Sequence, residues 1–334
     1  MSYRIPSPPP SLEDLAKRQQ NVVTASQLRA RGVPARIITE HCRRGGPWQR
    51  MLPRVYLLQA AEPTPEQRMW AALLYAAQNG RQEGRGEGAV ITGAAALALY
   101  GFTVVPRLPA VTGVDVLVPR QRRLKDVGGV RIRRTERELV ARSVHGLACA
   151  PVARAVADAL VEWTAEPGGP APVRAVLREA VAGPGNRCTV QELVTELADS
   201  GLTREPRVRA ALDELLAAER DVVLERLGRL VDEWRLPAPL NAPELRMGGG
   251  TYIAVPDLYW PERGVAVEVD PELRCVSEGE AAWVRGGRQR MEYLGVRVVY
   301  VGGARLAADP DAVGGELREA YRAGGTDVVE LLVV

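Results

Sequence analysis

The chain has 334 residues, 46% of them apolar and 25% charged, with a formal net charge of +3. That length supports two or three domains, and so small a net charge does not by itself call for a nucleic-acid partner. No apolar run has the length of a membrane span, and MSYRIPSPPPSLEDL lacks the apolar core of a signal peptide. Cys42, Cys149, Cys188 and Cys275 are scattered with no CxxC pair, so reduced thiols and a cytoplasmic, soluble protein are expected. Two histidines, His41 and His145, in separate segments argue against a zinc site and against Ser-His-Asp catalysis. The lack of a Gly-rich phosphate loop argues against an ATPase.

In chain order, residues 1–10 are Pro-rich and read as a disordered tail. SLEDLAKRQQ reads as a short helix with Ser11 as N-cap and Glu13 and Asp14 in its first turn. In VVTASQLRARGV, Thr24 can cap a second helix and Gly32 can end it. Val33-Pro34 opens a third, PARIITEHCRRGG, closed by Gly45-Gly46. PWQRMLPRVYLL then carries two short β-like stretches around Pro53. Three short helices followed by a β-ribbon make a winged helix-turn-helix pattern over residues 11–60. The first sixty residues hold ten basic side chains against only Glu13, Asp14 and Glu40. Such a local excess suits a phosphate-binding face. The third helix can present Arg36, Thr39, Glu40, Arg43 and Arg44 to a major groove while Ile37 and Ile38 pack inward. Arg50 and Arg54 on the ribbon can lie beside phosphates or a minor groove. Arg29 and Arg31 complete the candidate DNA-binding set. A winged helix used only for protein contacts is the other reading of the same pattern.

The run VVTASQLRARGVPARIITEHCRRGGPWQRMLPRVYLL resembles the N-terminal domain of abortive-infection type IV antitoxins, the AbiEi family. That resemblance implies a winged helix that binds operator DNA and represses its own operon. Arg54 stands where the family would place a glycine before Val-Tyr. The likeness continues to about residue 160, through AVITGAAALALYGF, VDVLVP, GGVRIRRT and HGLACAPVARAVADAL, the last with Arg154 and Asp158 four apart on a helix. Residues 61–163 are therefore expected to form an antitoxin-like α/β domain.

TAEPGGP opens a linker and helical connector over residues 164–218. APVRAVLREAVAG and TVQELVTELADSGL are helical by periodicity, and Thr189 with Glu192 makes a capping box. REPRVRAALDELLAAERDVVLERLGRLVDEWRLP then gives one long helix or two, ending before Pro237.

Residues 219–334 contain PDLYWPERGVAVEVD, in which two β-prone stretches flank the turn at Pro261 to Gly264. Pairing Trp260 with Val265 puts Asp257 opposite Glu268. Strand alternation then groups Asp257, Glu268 and Asp270 on one face, with Val265, Val267 and Val269 on the other. Opposed carboxylates need a positive charge between them. A divalent cation such as Mg2+ or Mn2+ would meet that need and could activate water on a phosphodiester. Alternatively, the acids form an exposed rim, each answered by an Arg from the set 263, 274, 285, 288, 290 and 297. PD, a ten-residue gap, then EVD resembles the PD-(D/E)XK nuclease superfamily, in the branch similar to very-short-patch-repair (Vsr) endonucleases, over roughly 219–325. That resemblance implies a C-terminal α/β restriction-endonuclease-like domain. Asp257 would be a metal ligand, Glu268 a ligand or water-positioning group, and Asp270 the occupant of the usual Lys slot. Glu225 would be an upstream helical acid.

There are departures from that pattern. No Lys lies near, Pro271 replaces a Gly, no His follows, and Gly286-Gly287 stand in the next helix where an acidic residue is common and weaken it by about 1 kcal/mol each relative to Ala. The expected class is thus α+β and multidomain. The expected function is a DNA-binding, antitoxin-like regulator carrying a nuclease fold of weakened or lost activity. A metal-dependent endonuclease targeted by the winged helix is the alternative. Double-stranded DNA, a second copy of the chain or a protein partner are the expected associations, with no membrane.

Overall fold

The computed structural model describes residues 11–77, 88–165, 172–182, 187–270, 278–325 and 331–333. The Pro-rich tail, residues 166–170 of the linker, and 271–277 with Pro271 and Cys275 lie outside them. The chain is mixed α and β and divides into two compact units, Met1–Leu202 and Thr203–Val334. The boundary expected at residue 219 falls inside a helix of the second unit.

The first unit begins with α1 (Leu12–Arg18), where the Ser11 hydroxyl accepts from the Asp14 N–H. β1 (Val22–Thr24) follows and buries Val22 and Val23 fully. This strand was not expected, because three residues are too few to show a period. Thr24 caps α2 (Ala25–Ala30) in a reciprocal box with Gln27, satisfying two otherwise orphaned N–H groups. α3 (Ala35–His41) is shorter than its sequence pattern. Arg43 and Arg44 therefore stand beyond its end, in a turn where Gly45 takes a φ of +79°. β2 (Gln49–Leu52) and β3 (Val55–Leu57) form a hairpin, and the sheet order is β1-β3-β2, antiparallel throughout. Leu15, Val23, Leu28 and Ile38 make the core beneath. Ile37, expected to pack with Ile38, is only half-buried.

The same unit continues with α4 (Pro65–Ala77), β4 (Val90–Thr92), α5 (Gly93–Leu99), β5 (Val114–Pro119) and β6 (Val130–Thr135). β7 (Arg142–Val144), β8 (Leu147–Cys149), α6 (Val152–Trp163), α7 (Val173–Ala182) and α8 (Val190–Asp199) complete it. The mixed sheet runs β6-β5-β4-β8-β7. The stretch HGLACAPVARAVADAL holds both β8 of the β7–β8 hairpin and most of α6. The two-residue turn of this hairpin, His145-Gly146, has both φ angles positive, as the twist of a tight hairpin demands. Arg154 pairs with Asp158 at 3.0 Å, and Asp158 also accepts from buried Thr92 at 2.6 Å. Asp115 is buried and neutralised by Arg131 and Arg133, with Glu162 joining the network. Each charge here is spent inside the fold.

The second unit starts with one unbroken helix, α9 (Pro206–Glu233). β9 (Leu240–Asn241), β10 (Leu245–Met247), β11 (Tyr252–Ala254), β12 (Leu258–Trp260) and β13 (Val265–Val269) follow. Then come α10 (Glu278–Tyr293), β14 (Arg297–Val301), α11 (Gly303–Ala308), α12 (Pro310–Ala323) and β15 (Leu331–Val333). One sheet runs β14-β13-β12-β9 and another β11-β10-β15. Leu258, Trp260, Val265, Val267 and Val269 face Val223, Leu227 and Leu230 of α9. Tyr259 and Ala266 face the other way, toward Met291 of α10 and Ile253 of β11. α10 runs straight through Gly286 and Gly287. A Cβ on Gly287 would meet Ala254 at 3.4 Å, an ordinary contact, so this glycine lies where α10 packs on β11.

Candidate functional site

Two constellations came from the sequence, one basic and one acidic. In the first unit, Arg29, Arg36, Thr39, Arg43, Arg44, Arg50 and Arg54 are all exposed, and Arg31 is partly so. Among the described residues, no acid pairs with Arg29, Arg36, Arg43, Arg44, Arg50 or Arg54. Arg31 donates to the Gln27 carbonyl at 3.0 Å, and Thr39 donates to that of Ala35 at 3.0 Å. The hairpin and the end of α3 are close. The Trp48 N–H donates to the His41 carbonyl, and those two rings meet edge to face at 4.4 Å. Burial raises the Cys42 thiol pKa, and the positive charge of Arg50 works against that rise. The Trp48 contact holds the chain two residues before Arg50 against the end of α3.

Arg54 follows Pro53 in the two-residue hairpin turn and has a φ of +62°. Proline fixes the first position, and the second takes a left-handed backbone. Glycine would sit there without strain. An L side chain costs about 1 kcal/mol, which accounts in physical terms for the glycine expected at this position.

In the second unit the expected register holds: Trp260 faces Val265 and Leu258 faces Val267. The expected shared face for the three acids does not. Asp257 follows Pro256, which lacks an N–H, and the chain leaves strand geometry between β11 and β12 there. Asp270 has a φ of +38°, which ends the alternation of β13. The acids consequently turn to three different elements. Asp257 is buried. Its Oδ2 accepts from the Val269 N–H at 2.7 Å, and its Oδ1 accepts from Nε of Arg220 on α9 at 2.6 Å. Asp270 Oδ2 accepts from the Gly303 N–H, at the start of α11, at 2.7 Å. Glu268 is also buried and sits across the parallel strand pair from Tyr300. Desolvation raises its carboxyl pKa. Arg288 lowers it in part, and Glu292, also on α10, raises it.

Glu225 stands on the exposed side of α9, paired with Arg229 at 3.6 Å, and is not brought to the other acids. Among the described residues, no three His, Cys, Asp or Glu side chains are gathered so that they could hold a metal ion. The donor set around Asp257 and Asp270 is already engaged by N–H groups and a guanidinium. The arrangement does not fit a three-carboxylate Mg2+ or Mn2+ centre.

Nor are the acids an exposed rim, since Asp257 and Glu268 are buried. The missed residue is Arg220. It precedes Val223, Leu227 and Leu230 by three, seven and ten positions, so it lies on the buried stripe of α9. That phase was the available signal. Removing one member of a fully buried ion pair costs roughly 3–5 kcal/mol. The figure is smaller here because Arg220 is 34% exposed. Thiol chemistry has no support at Cys149 or Cys188, whose pKa values burial pushes up to about 12.

Neither a family model nor a curated protein matches the chain. Among solved structures, the crystal structure of the RV2827C protein from Mycobacterium tuberculosis is similar at 18% identity and a TM-score of 0.39. The similarity covers 60% of this chain and 74% of that one. A likeness at this level carries no argument. No helix among the described residues is long and apolar enough to cross a membrane.

Proposed function

We propose that the chain is a DNA-binding protein of the repressor type. It reads double-stranded DNA with an N-terminal winged helix, and its second unit is a nuclease-like domain of weakened or lost cleavage. The observation that carries this reading is the set of exposed arginines on α3, the turn after it and the β2–β3 hairpin, with no acid paired to them among the described residues. A face whose charge is left open in this way suits phosphates. In the middle of the chain, by contrast, Asp115, Asp158 and Glu162 neutralise arginines internally. The resemblance of residues 11–160 to AbiEi-type antitoxins points the same way, toward control of the chain's own operon with a second copy or a protein partner.

The resemblance of residues 219–325 to Vsr-like nucleases supports the character of the second unit. Weakened cleavage follows from Asp257, Glu268 and Asp270 turning to separate elements. The test is a gel shift with duplexes from upstream of the gene, run beside supercoiled plasmid in Mg2+ or Mn2+. Retarded complexes without nicking are expected. Metal-dependent nicking that disappears in Asp257→Ala/Glu268→Ala would replace this reading with the endonuclease. Failure to retard any duplex would remove the DNA-binding reading itself.

A further inference from the structure

We propose that Arg220 is a built-in counter-cation: its guanidinium supplies the positive charge that buried Asp257 requires and closes the place a divalent metal would need, so that the second unit folds around this pair without metal. The inference rests on the nuclease-like reading of that unit, and it is tested separately from DNA binding by the first.

The Asp257 side chain is 0% exposed, and a carboxylate so placed must be neutralised or paired. Both of its oxygens have donors. Arg220 reaches Oδ1 through Nε at 2.6 Å and through Nη2, and the Val269 N–H holds Oδ2 at 2.7 Å. A hard divalent cation needs open carboxylate lone pairs, commonly from more than one acid. Here the neighbouring acids are placed elsewhere: Asp270 accepts from the Gly303 N–H, and Glu268 stands across the parallel pair from Tyr300, whose ring carries Arg288 of α10 at 3.8 Å. A guanidinium in hydrogen-bond contact with Oδ1 also repels any second cation that approaches it.

Delivery of Arg220 is rigid. It sits on the same stripe of α9 as Val223 and Leu227, which pack against β13 in the core. Gly303 packs so closely on Val223 that a Cβ there would come within 2.8 Å of that side chain. The cation is therefore placed by a helix locked into the unit rather than by a loop.

The experiment is thermal unfolding of the full chain in EDTA and in millimolar Mn2+, for the wild type, Arg220→Lys, Arg220→Gln and Arg220→Gln/Asp257→Asn. The wild type should melt alike in EDTA and in Mn2+. Arg220→Gln should melt lower, and equally so in both, because no second carboxylate is turned to the vacated place, while the double variant should recover part of the loss. Arg220→Lys keeps the charge but not the two-nitrogen reach and should fall between the wild type and Arg220→Gln. If Arg220→Gln does not fold, the refolding yield is read instead, and the double variant should refold. Two results would overturn the proposal: wild-type stabilisation by Mn2+ that Asp257→Asn abolishes, or an Arg220→Gln variant that melts like the wild type. Gel shifts with the same variants report on the first unit independently. Wild-type retardation by Arg220→Gln would show that any loss concerns the second unit alone.

Discussion

Glu268 enters the sheet of the second unit with Oε2 lacking a hydrogen-bond partner among the described residues. Burial raises its pKa above the ordinary 4.5, with Glu292 adding to the rise and Arg288 opposing it. A folded pKa above the unfolded one means that the folded state holds the proton more tightly. The resulting stability is fully present below the unfolded value and is lost as pH rises through the folded one. Glu268→Gln keeps the shape and removes the titration. Near neutral pH the variant should resist denaturant better than the wild type, by about 1.4 kcal/mol for each unit of the rise. The gap should close as pH falls below 4.5. A gap independent of pH would contradict this account of the residue. The burial of this acid could not be read from GVAVEVD, because alternation assigns a face and not its cover. Arg220 was equally hidden, since its contact with Asp257 spans 37 positions.

At the scale of elements, the β2–β3 hairpin carries a conflict between folding and contact. Arg54 occupies a left-handed position that glycine would take freely. Arg54→Gly should therefore stabilise the protein by about 1 kcal/mol in chemical denaturation. It should also flatten the salt dependence of DNA binding by about 0.9, one phosphate contact. A variant that gains stability with unchanged DNA binding would take Arg54 out of the interface. Caps and long periodic helices were legible in the sequence: Ser11, Thr24 and Thr189 each cap the helix expected of them. β5 and β6 coincide with VDVLVP and VRIRRT. Short strands were not, because β1, β7 and β8 hold three residues each and gain their order from partners elsewhere in the chain. TYIAVPDLYW, taken as one stretch, splits into β11 and β12 because Pro256 cannot donate to a ladder. Asp257 falls in that break, and so the predicted cluster of acids does not form.

For the whole molecule, a net charge of +3 conceals an uneven distribution. Asp115, Asp158 and Asp257 are consumed by internal pairs, while Arg29, Arg36, Arg43, Arg44, Arg50 and Arg54 have no acidic partner among the described residues. Long-range attraction to a polyanion follows the open charges rather than the total. The exposed arginines of the first unit were legible because composition and local helix spacing suffice to locate them. The acidic candidate site was legible only as a list of residues, since its geometry depends on three separate elements of the second unit. The most direct test of the central claim is the salt dependence of duplex binding by the full-length wild type and by Arg43→Ala/Arg44→Ala, followed by fluorescence anisotropy. Loss of two phosphate contacts should weaken binding and reduce the slope of log K against log salt by about 1.8. Unchanged affinity and slope would contradict the assignment of this face to DNA.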